Sequence, residues 1–250
     1  MRLIHVPAAL AAMLLLAGGA LAAPQTLDLG TQPSLEVAPA SGDDLTVRLE
    51  VGKLQFFDVE TRQGTFTRLV IPGFHAAQEV GQPALPMMNR LVAMPQGASA
   101  TVEVVSRQTR RVRLADHGVQ NLLMPAQPSL AKSADPAAAP FHLDAAAYQT
   151  AGLKAAGDLA RVVPQGRLRA VDFARLEIAP VRYDPVAGEL EVTESLELRI
   201  RYDGGDAAAT ADLMARTHSP FFDGVYQRIA GVRGLHENYP DRVRDEVTYV

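Results

Sequence analysis

The sequence contains no cysteine and no tryptophan. Without a thiol there is no cysteine nucleophile, no haem attachment and no thiolate metal site. No disulfide can staple the fold, but 250 residues are enough to build a core without one. Aromatic residues make up only 6 % of the chain, leaving few rings on which a sugar could stack. Basic residues are not in excess: 24 Lys and Arg face 28 Asp and Glu, a formal charge of -4, which argues against a general nucleic-acid binder. No apolar run reaches the roughly 18 residues that a membrane helix needs. HExxH, GxSxG, P-loop and dinucleotide fingerprints are all missing. The six histidines are scattered. Nothing here assembles a catalytic constellation, a metal site or a cofactor site, and these 250 residues are expected to be no enzyme.

The N-terminus has the form of an export signal. In "MRLIHVPAALAAMLLLAGGALAAPQ" one basic residue, Arg2, precedes a stretch from Ala8 to Ala17 without a polar residue. A Gly-Gly break and the small-x-small triplet Ala20-Leu21-Ala22 follow, which places the cut after Ala22. Export to a periplasmic, cell-surface or extracellular location is expected, with no membrane association once the signal is gone. Arg2 is the one charged residue removed, so the mature chain carries a formal charge of -5.

The remainder reads as short strands punctuated by turns. Leu45–Val51 alternates apolar and polar residues, the pattern of a strand with one buried face. Lys53–Thr61 and Phe66–Ile71 are further strands, the latter closed by Pro72-Gly73. Asn89–Met94 and Ala100–Val105 follow. Gly81–Met87 is expected to run extended along an edge or between sheets, because its prolines cannot donate to a ladder. Pro125–Gly157 is an Ala- and Pro-rich connection with a short helix over Asp144–Thr150. Arg167–Ile178 reads as one strand. Leu190 and Val192, then Leu196, Leu198, Ile200 and Tyr202, alternate with polar residues. Glu194 falls on their apolar face, so either it turns to solvent at a bend or a bulge interrupts the pairing there. Asp203–Asp212 reads as a linker, followed by a short helix near Phe221–Ile229. The fold class is all-β, an antiparallel β-sandwich with short helical segments behind a signal peptide.

Three smaller features point to no chemistry. His117-Gly118 after "RRVRL" is superficially like the catalytic His-Gly of a caspase-like peptidase. A histidine base needs a nucleophile to activate, however, and the pair reads as a turn. His142 and Asp144 read as solvated loop residues. Arg107, Arg110, Arg111 and Arg113 read as the solvated face of a strand pair.

Three blocks in order carry a resemblance. The first is "VGQPALPMMNRLVAMPQGASATVEV", with Gly81, Pro83, Leu85, Pro86, Pro95 and Gly97. The second is "LMPAQPS", with Pro125, Gln127 and Pro128. The third is "GRLRAVDFARLEIAPVRYDPVAGELEV", with Gly166, Arg169, Pro180, Tyr183, Pro185 and Gly188. Together they resemble the propeptide of gingipain-type cysteine peptidases, over roughly Leu45 to Tyr202. The resemblance implies a β-sandwich that helps its own downstream peptidase domain to fold and keeps it latent. It also implies a prodomain loop that presents a basic residue to the specificity pocket, and a caspase-like catalytic domain beyond this chain. The full-length precursor would then be a cysteine endopeptidase, secreted as a zymogen.

No matched motif says which residue enters the pocket. Lys154 and Arg161 are candidates, since they flank "LKAAGDLARVVPQG". Ala22 marks signal removal. Arg216, Arg242 and Arg244 are candidate processing sites, since proteases cut exposed, flexible backbone. The expected organisation is a signal peptide (1–22), an N-terminal extension (23–44), a β-sandwich prodomain (45–203), a linker and activation segment (204–246) and the first strand of a truncated catalytic domain (247–250, Val247–Val250). The alternative is a free-standing secreted β-sandwich binding or adhesion module for protein or carbohydrate.

Overall fold

The computed structural model describes residues 24–39, 44–133, 135, 138–217 and 219–231. The expected signal segment with its Ala22 cut, Arg242, Arg244 and the strand at Val247–Val250 lie outside the described residues.

Two strands stand in the stretch for which the sequence predicts only an extension, β1 (Gln25–Asp28) and β2 (Ser34–Pro39). The alternating stretches then form β3 (Leu45–Glu50), β4 (Lys53–Thr61) and β5 (Gly64–Val70). After β6 (His75–Ala76) come β7 (Pro86–Met94) and β8 (Ser99–Arg113). β8 runs eight residues past the expected end at Val105, because it is a polar strand exposed along most of its length. A short helix, α1 (Ala145–Gln149), precedes β9 (Lys154–Ala155), β10 (Ala160–Leu168), β11 (Val171–Ile178), β12 (Val181–Asp184) and β13 (Glu189–Asp203). The expected single strand Arg167–Ile178 is instead part of the β10–β11 hairpin, turned at Arg169-Ala170. The expected linker is mostly a helix, α2 (Ala207–Thr217), followed by α3 (Asp223–Tyr226). α2 forms because Asp206 accepts the Ala209 N–H at 2.7 Å through its side chain, supplying the N-terminal cap, and alanine is the best helix former.

The strands make three antiparallel groupings: β1-β4-β5, β10-β11-β7-β6, and β2-β3-β13-β12-β9 with β8 added to β13. β13 is the axis. β8 pairs along its whole length on one edge. On the other, β12 pairs with Glu189–Val192 and β3 with Ser195–Ile200. The change of partner falls at Glu194, which β13 carries as an extra residue between Thr193, opposite Thr109, and Ser195, opposite Gln108, so the bulge is the alternative realised. A second irregularity at Val105 restores the original pairing. Leu190, Val192, Leu196, Leu198 and Ile200 of β13 are buried with Val47 and Leu49 of β3 and Leu176 and Ile178 of β11. Each such side chain is worth about 1.5–3 kcal/mol when withdrawn from water. One continuous apolar cluster draws on all three groupings, which makes the assembly an antiparallel β-sandwich.

Candidate functional site

The three sequence blocks meet in space. Gly81 and Ala84 of the first donate their N–H groups to the carbonyls of Ala126 (2.9 Å) and Met124 (3.0 Å), and Ala126 N–H returns a bond to Gln82 (2.8 Å). Proline at 83 and 125 is compatible with this pairing, since neither has a donor to leave unpaired. On its other side the same segment bonds to β5: Thr67 N–H to Leu122 at 2.8 Å, and Met124 N–H to Thr67 at 2.8 Å. Tyr183 of the third block is buried beside Tyr148 of α1. The Tyr148 hydroxyl donates to the Leu123 carbonyl at 2.7 Å. Burial, with Tyr183 alongside, pushes the Tyr148 phenol well above its ordinary value, so it serves as a fixed donor.

From this junction a loop, residues 128–141, leaves and returns. Its neck is closed by Gln127. The amide nitrogen donates to the His142 carbonyl at 2.8 Å and the amide oxygen accepts the His142 N–H at 2.9 Å, standing in for a backbone pair. Beneath the neck, Asp144 N–H donates to Gly81 at 3.1 Å. One Asp144 oxygen caps α1 through Ala146 (2.9 Å) and Ala147 (3.2 Å), while the other accepts from Gln82 at 2.7 Å. Gly81 has φ +85°, and a Cβ there would lie 3.0 Å from the Asp144 nitrogen, so the close approach requires glycine. On the far side Phe141 packs against Phe66 with ring centroids 5.3 Å apart. An open cleft separates the loop from the end of the β4–β5 hairpin, lined by Glu60, Arg62, Pro128, Leu130 and Phe141. The loop is thus anchored at both ends.

The loop carries one basic side chain, the exposed Lys132. Sequence reasoning passed over it, although a signal was present: Lys132 is the only Lys or Arg between Arg113 and Lys154. The two expected candidates lie elsewhere. Lys154 is exposed on β9, whose two residues pair with Arg182 and Tyr183. Arg161 is on β10, its Nε 2.6 Å from the buried carboxylate of Glu177, which also binds Arg175 at 2.7 Å. Arg216 closes the last turn of α2 and pairs with Asp212 at 2.7 Å. The β8 cations are structural for the most part: Arg110, Arg111 and Arg113 pair across the strands with Glu194, Glu191 and Glu189. His117-Gly118 ends a 3-10 turn, with Gly118 at φ +74°. Among the described residues no group of acidic and histidine side chains is placed to hold a metal ion.

Comparison with known proteins agrees with this geometry. A family model described as Propeptide_C25 matches residues 25–219. The chain is 38 % identical over 177 residues to Lys-gingipain HG66 of Porphyromonas gingivalis, covering 71 % of this chain and 10 % of that protein. It is 24 % identical over 216 residues to a gingipain R2 of the same organism, covering 84 % of this chain and 28 % of the relative. The chain therefore spans about a tenth of the length of the Lys-gingipain. Of solved structures, one concerned with the zymogenic latency of gingipain K from P. gingivalis superposes with a TM-score of 0.68 at 33 % identity, covering 73 % of this chain and all of that one. A second, from a complex of RgpB pro- and mature domains of the same organism, shares the fold with a TM-score of 0.63 at 19 % identity over 81 % of this chain. With its three blocks joined at one junction and the family match running through all of them, this chain belongs to the Propeptide_C25 family, the propeptides of gingipain-type cysteine peptidases.

Proposed function

We propose that this chain is the latency-conferring propeptide of a cysteine endopeptidase whose catalytic domain follows it, and that the loop 128–141 occupies the active-site cleft with Lys132 in the specificity pocket. The anchored loop with its single cation carries this reading. An extended segment fits a cleft by pairing as an added strand, while one side chain fills the pocket. The neck at Gln127 and His142 fixes both ends, which lowers the entropy lost on docking. A tethered inhibitor acts at an effective concentration on the order of millimolar, so modest contacts are sufficient for latency. Cutting the tether then makes release irreversible.

Lys132 fits the role better than the two cations named from sequence. Arg161 would have to leave Glu177, stranding half the pairing of a buried carboxylate. Lys154 sits within a paired strand beside the Tyr183 pocket rather than on a projecting loop. Export by the N-terminal segment with cleavage after Ala22, and processing at Arg216, Arg242 or Arg244, complete the proposed precursor. Among the described residues no helix is long and apolar enough to cross a membrane.

The test is titration of a lysine-specific gingipain with the purified chain. Submicromolar inhibition is expected from the wild type. Lys132→Ala should weaken it a hundredfold or more, while the Lys154→Ala, Arg161→Ala double variant retains it. No inhibition at tens of micromolar would reject latency. Retained inhibition by Lys132→Ala would reject the loop assignment alone.

A further inference from the structure

Arg169 occupies a position where glycine is usual. Leu168 pairs with Val171, so Arg169 and Ala170 form a two-residue hairpin loop, and Arg169 has φ +54°. Two-residue hairpin loops that begin in the left-handed region favour glycine, and an L side chain there is strained. It is the one described non-glycine residue with positive φ. Its side chain reaches a segment 48 residues further along the chain. Nε and Nη2 donate to the Thr217 carbonyl at 3.2 and 2.8 Å, and the guanidinium lies 4.8 Å from the ring centre of Phe222. Thr217 ends α2, where carbonyls lack intrahelical partners and a cation is favourable. Behind this contact Met214, Tyr226 and Ile229 pack on Ala93 and Val171, and Ala230 exchanges backbone bonds with Leu91 (2.9 Å) and Ala93 (2.8 Å) of β7. The segment is docked on the sandwich, with Arg169 at its midpoint.

We propose that Arg169 is a clasp that keeps the Arg216–Thr217 peptide bond closed to arginine-specific endopeptidases, so that unwinding of α2 gates processing at that bond. The inference rests on reading the chain as a propeptide. An endopeptidase takes its substrate as extended chain. The Arg216 side chain is exposed, but its backbone is helical and the next carbonyl is held from two donors. Cleavage therefore follows the population in which the last turn of α2 has opened. The reaction is simple hydrolysis: water adds at the Arg216 carbonyl carbon, the bond to the Thr217 nitrogen breaks, and a carboxylate and an amine are left.

Limited digestion of the full chain by trypsin, followed site by site by mass spectrometry, tests this. Lys132 on the open loop is the internal reference. In the wild type the bond after Lys132 should be cut before the bond after Arg216. Arg169→Gly satisfies the turn and removes both clasp contacts. It should raise the rate at Arg216 about tenfold and leave Lys132 within twofold. Phe222→Leu keeps the hydrogen bonds and should give a smaller rise. The clasp is refuted by an unchanged Arg216 rate in Arg169→Gly, by an equal rise at both sites, or by wild-type cleavage at Arg216 as fast as at Lys132. No cognate peptidase enters the experiment, so its failure leaves the latency reading standing, and loss of latency would leave the clasp standing.

Discussion

Gln127 closes the loop on His142 with a reciprocal pair of hydrogen bonds, 2.8 Å from the amide nitrogen to the carbonyl and 2.9 Å from the backbone N–H to the amide oxygen. A side chain here does what a backbone pair does at the mouth of a hairpin. It ties the two ends of the 128–141 segment together at a narrow base. Gln127→Leu removes both bonds and should cost about 1–2 kcal/mol, since a partly exposed hydrogen bond contributes about 1 kcal/mol net. The larger expected effect is on the loop. Trypsin should cut after Lys132 several-fold faster, and inhibition should weaken about tenfold as the loop loses its fixed geometry. Unchanged susceptibility at Lys132 in Gln127→Leu would show that the neck does not restrain the loop.

The sheet formed by β7, β10 and β11 should make stability sensitive to acid. Burial alone would raise the pKa of Glu177, but the hydrogen bonds from Arg161 and Arg175 outweigh it and hold the carboxyl below its ordinary range. Asp172 is likewise depressed, chiefly by its hydrogen bond from Arg167, against the opposing effect of burial. Both groups have a lower pKa folded than unfolded. Their contribution is therefore complete above the unfolded carboxylate values, about 4, and is lost as pH falls through the folded ones. The midpoint of thermal unfolding should be flat from pH 7 to 5 and fall below that. Glu177→Gln should lower it at neutral pH and flatten the acid limb; an acid limb as steep as that of the wild type would contradict the assignment to Glu177.

How much of this was visible in the sequence follows from where information was local. β3, β4 and β13 were legible because their alternation has period two and one face is buried. The second half of β8 was legible only as the solvated face of a strand pair, since Arg107–Arg113 has no continuous apolar face, and its continuity with Ser99–Ser106 and its partner β13 show only through the pairing. The β10–β11 turn was hidden because Arg169-Ala170 lacks the glycine that such a turn ordinarily displays. α2 was hidden behind Gly204 and Gly205, which look like a linker but lead into a capped alanine helix. At the site, the residues of the three blocks were legible singly, but their junction depends on backbone bonds such as Gly81 to Ala126, across 45 residues. The engagement of Arg161 was invisible for the same reason, its partner Glu177 lying across a hairpin.

Gly81 is the position in the first block where substitution should be least tolerated. Alanine there would have to adopt φ +85° and place its Cβ 3.0 Å from the Asp144 backbone nitrogen. Backbone cannot swing aside as a long side chain can. Relief would pull Asp144 from Gly81, and with it the cap of α1 and the bond from Gln82. A destabilisation of about 2 kcal/mol or more is expected from left-handed strain and the lost bonds together. Gly97→Ala provides the control, since a Cβ at that turn meets nothing within 4 Å and only the backbone term applies. Denaturant unfolding of the two variants should separate them by at least 1 kcal/mol, and equal losses would show that the approach to Asp144 is not the constraint.

Glu194 separates two halves of β13 that serve different partners. Before it, Thr193 N–H bonds to Pro180 at 2.8 Å beside β12; at it, the Glu194 carbonyl accepts from Val51 at 2.8 Å beside β3. Its side chain is 16 % exposed and lies 2.6 Å from Arg110 Nε, so the carboxylate on the apolar register is paired rather than buried alone. The residue is therefore needed for its backbone more than for its charge. Glu194→Gln should cost about 1–2 kcal/mol, because the charge it removes is only 16 % exposed while its Arg110 partner, 44 % exposed, stays hydrated. Deletion of Glu194 is a different matter. The side-chain period of a strand is two, so removing one residue turns Leu196, Leu198 and Ile200 to the opposite face while Leu190 and Val192 stay inward. Three fully buried side chains would be expelled or the pairing with both β3 and β8 surrendered, at roughly 1.5–3 kcal/mol each. That sum approaches the whole stability of a domain, about 5–15 kcal/mol. Soluble, cooperatively folding protein is expected from Glu194→Gln and not from the deletion, as read by circular dichroism and thermal melts; a deletion variant that melts cooperatively near the wild-type temperature would show that the bulge does not hold the two halves in register.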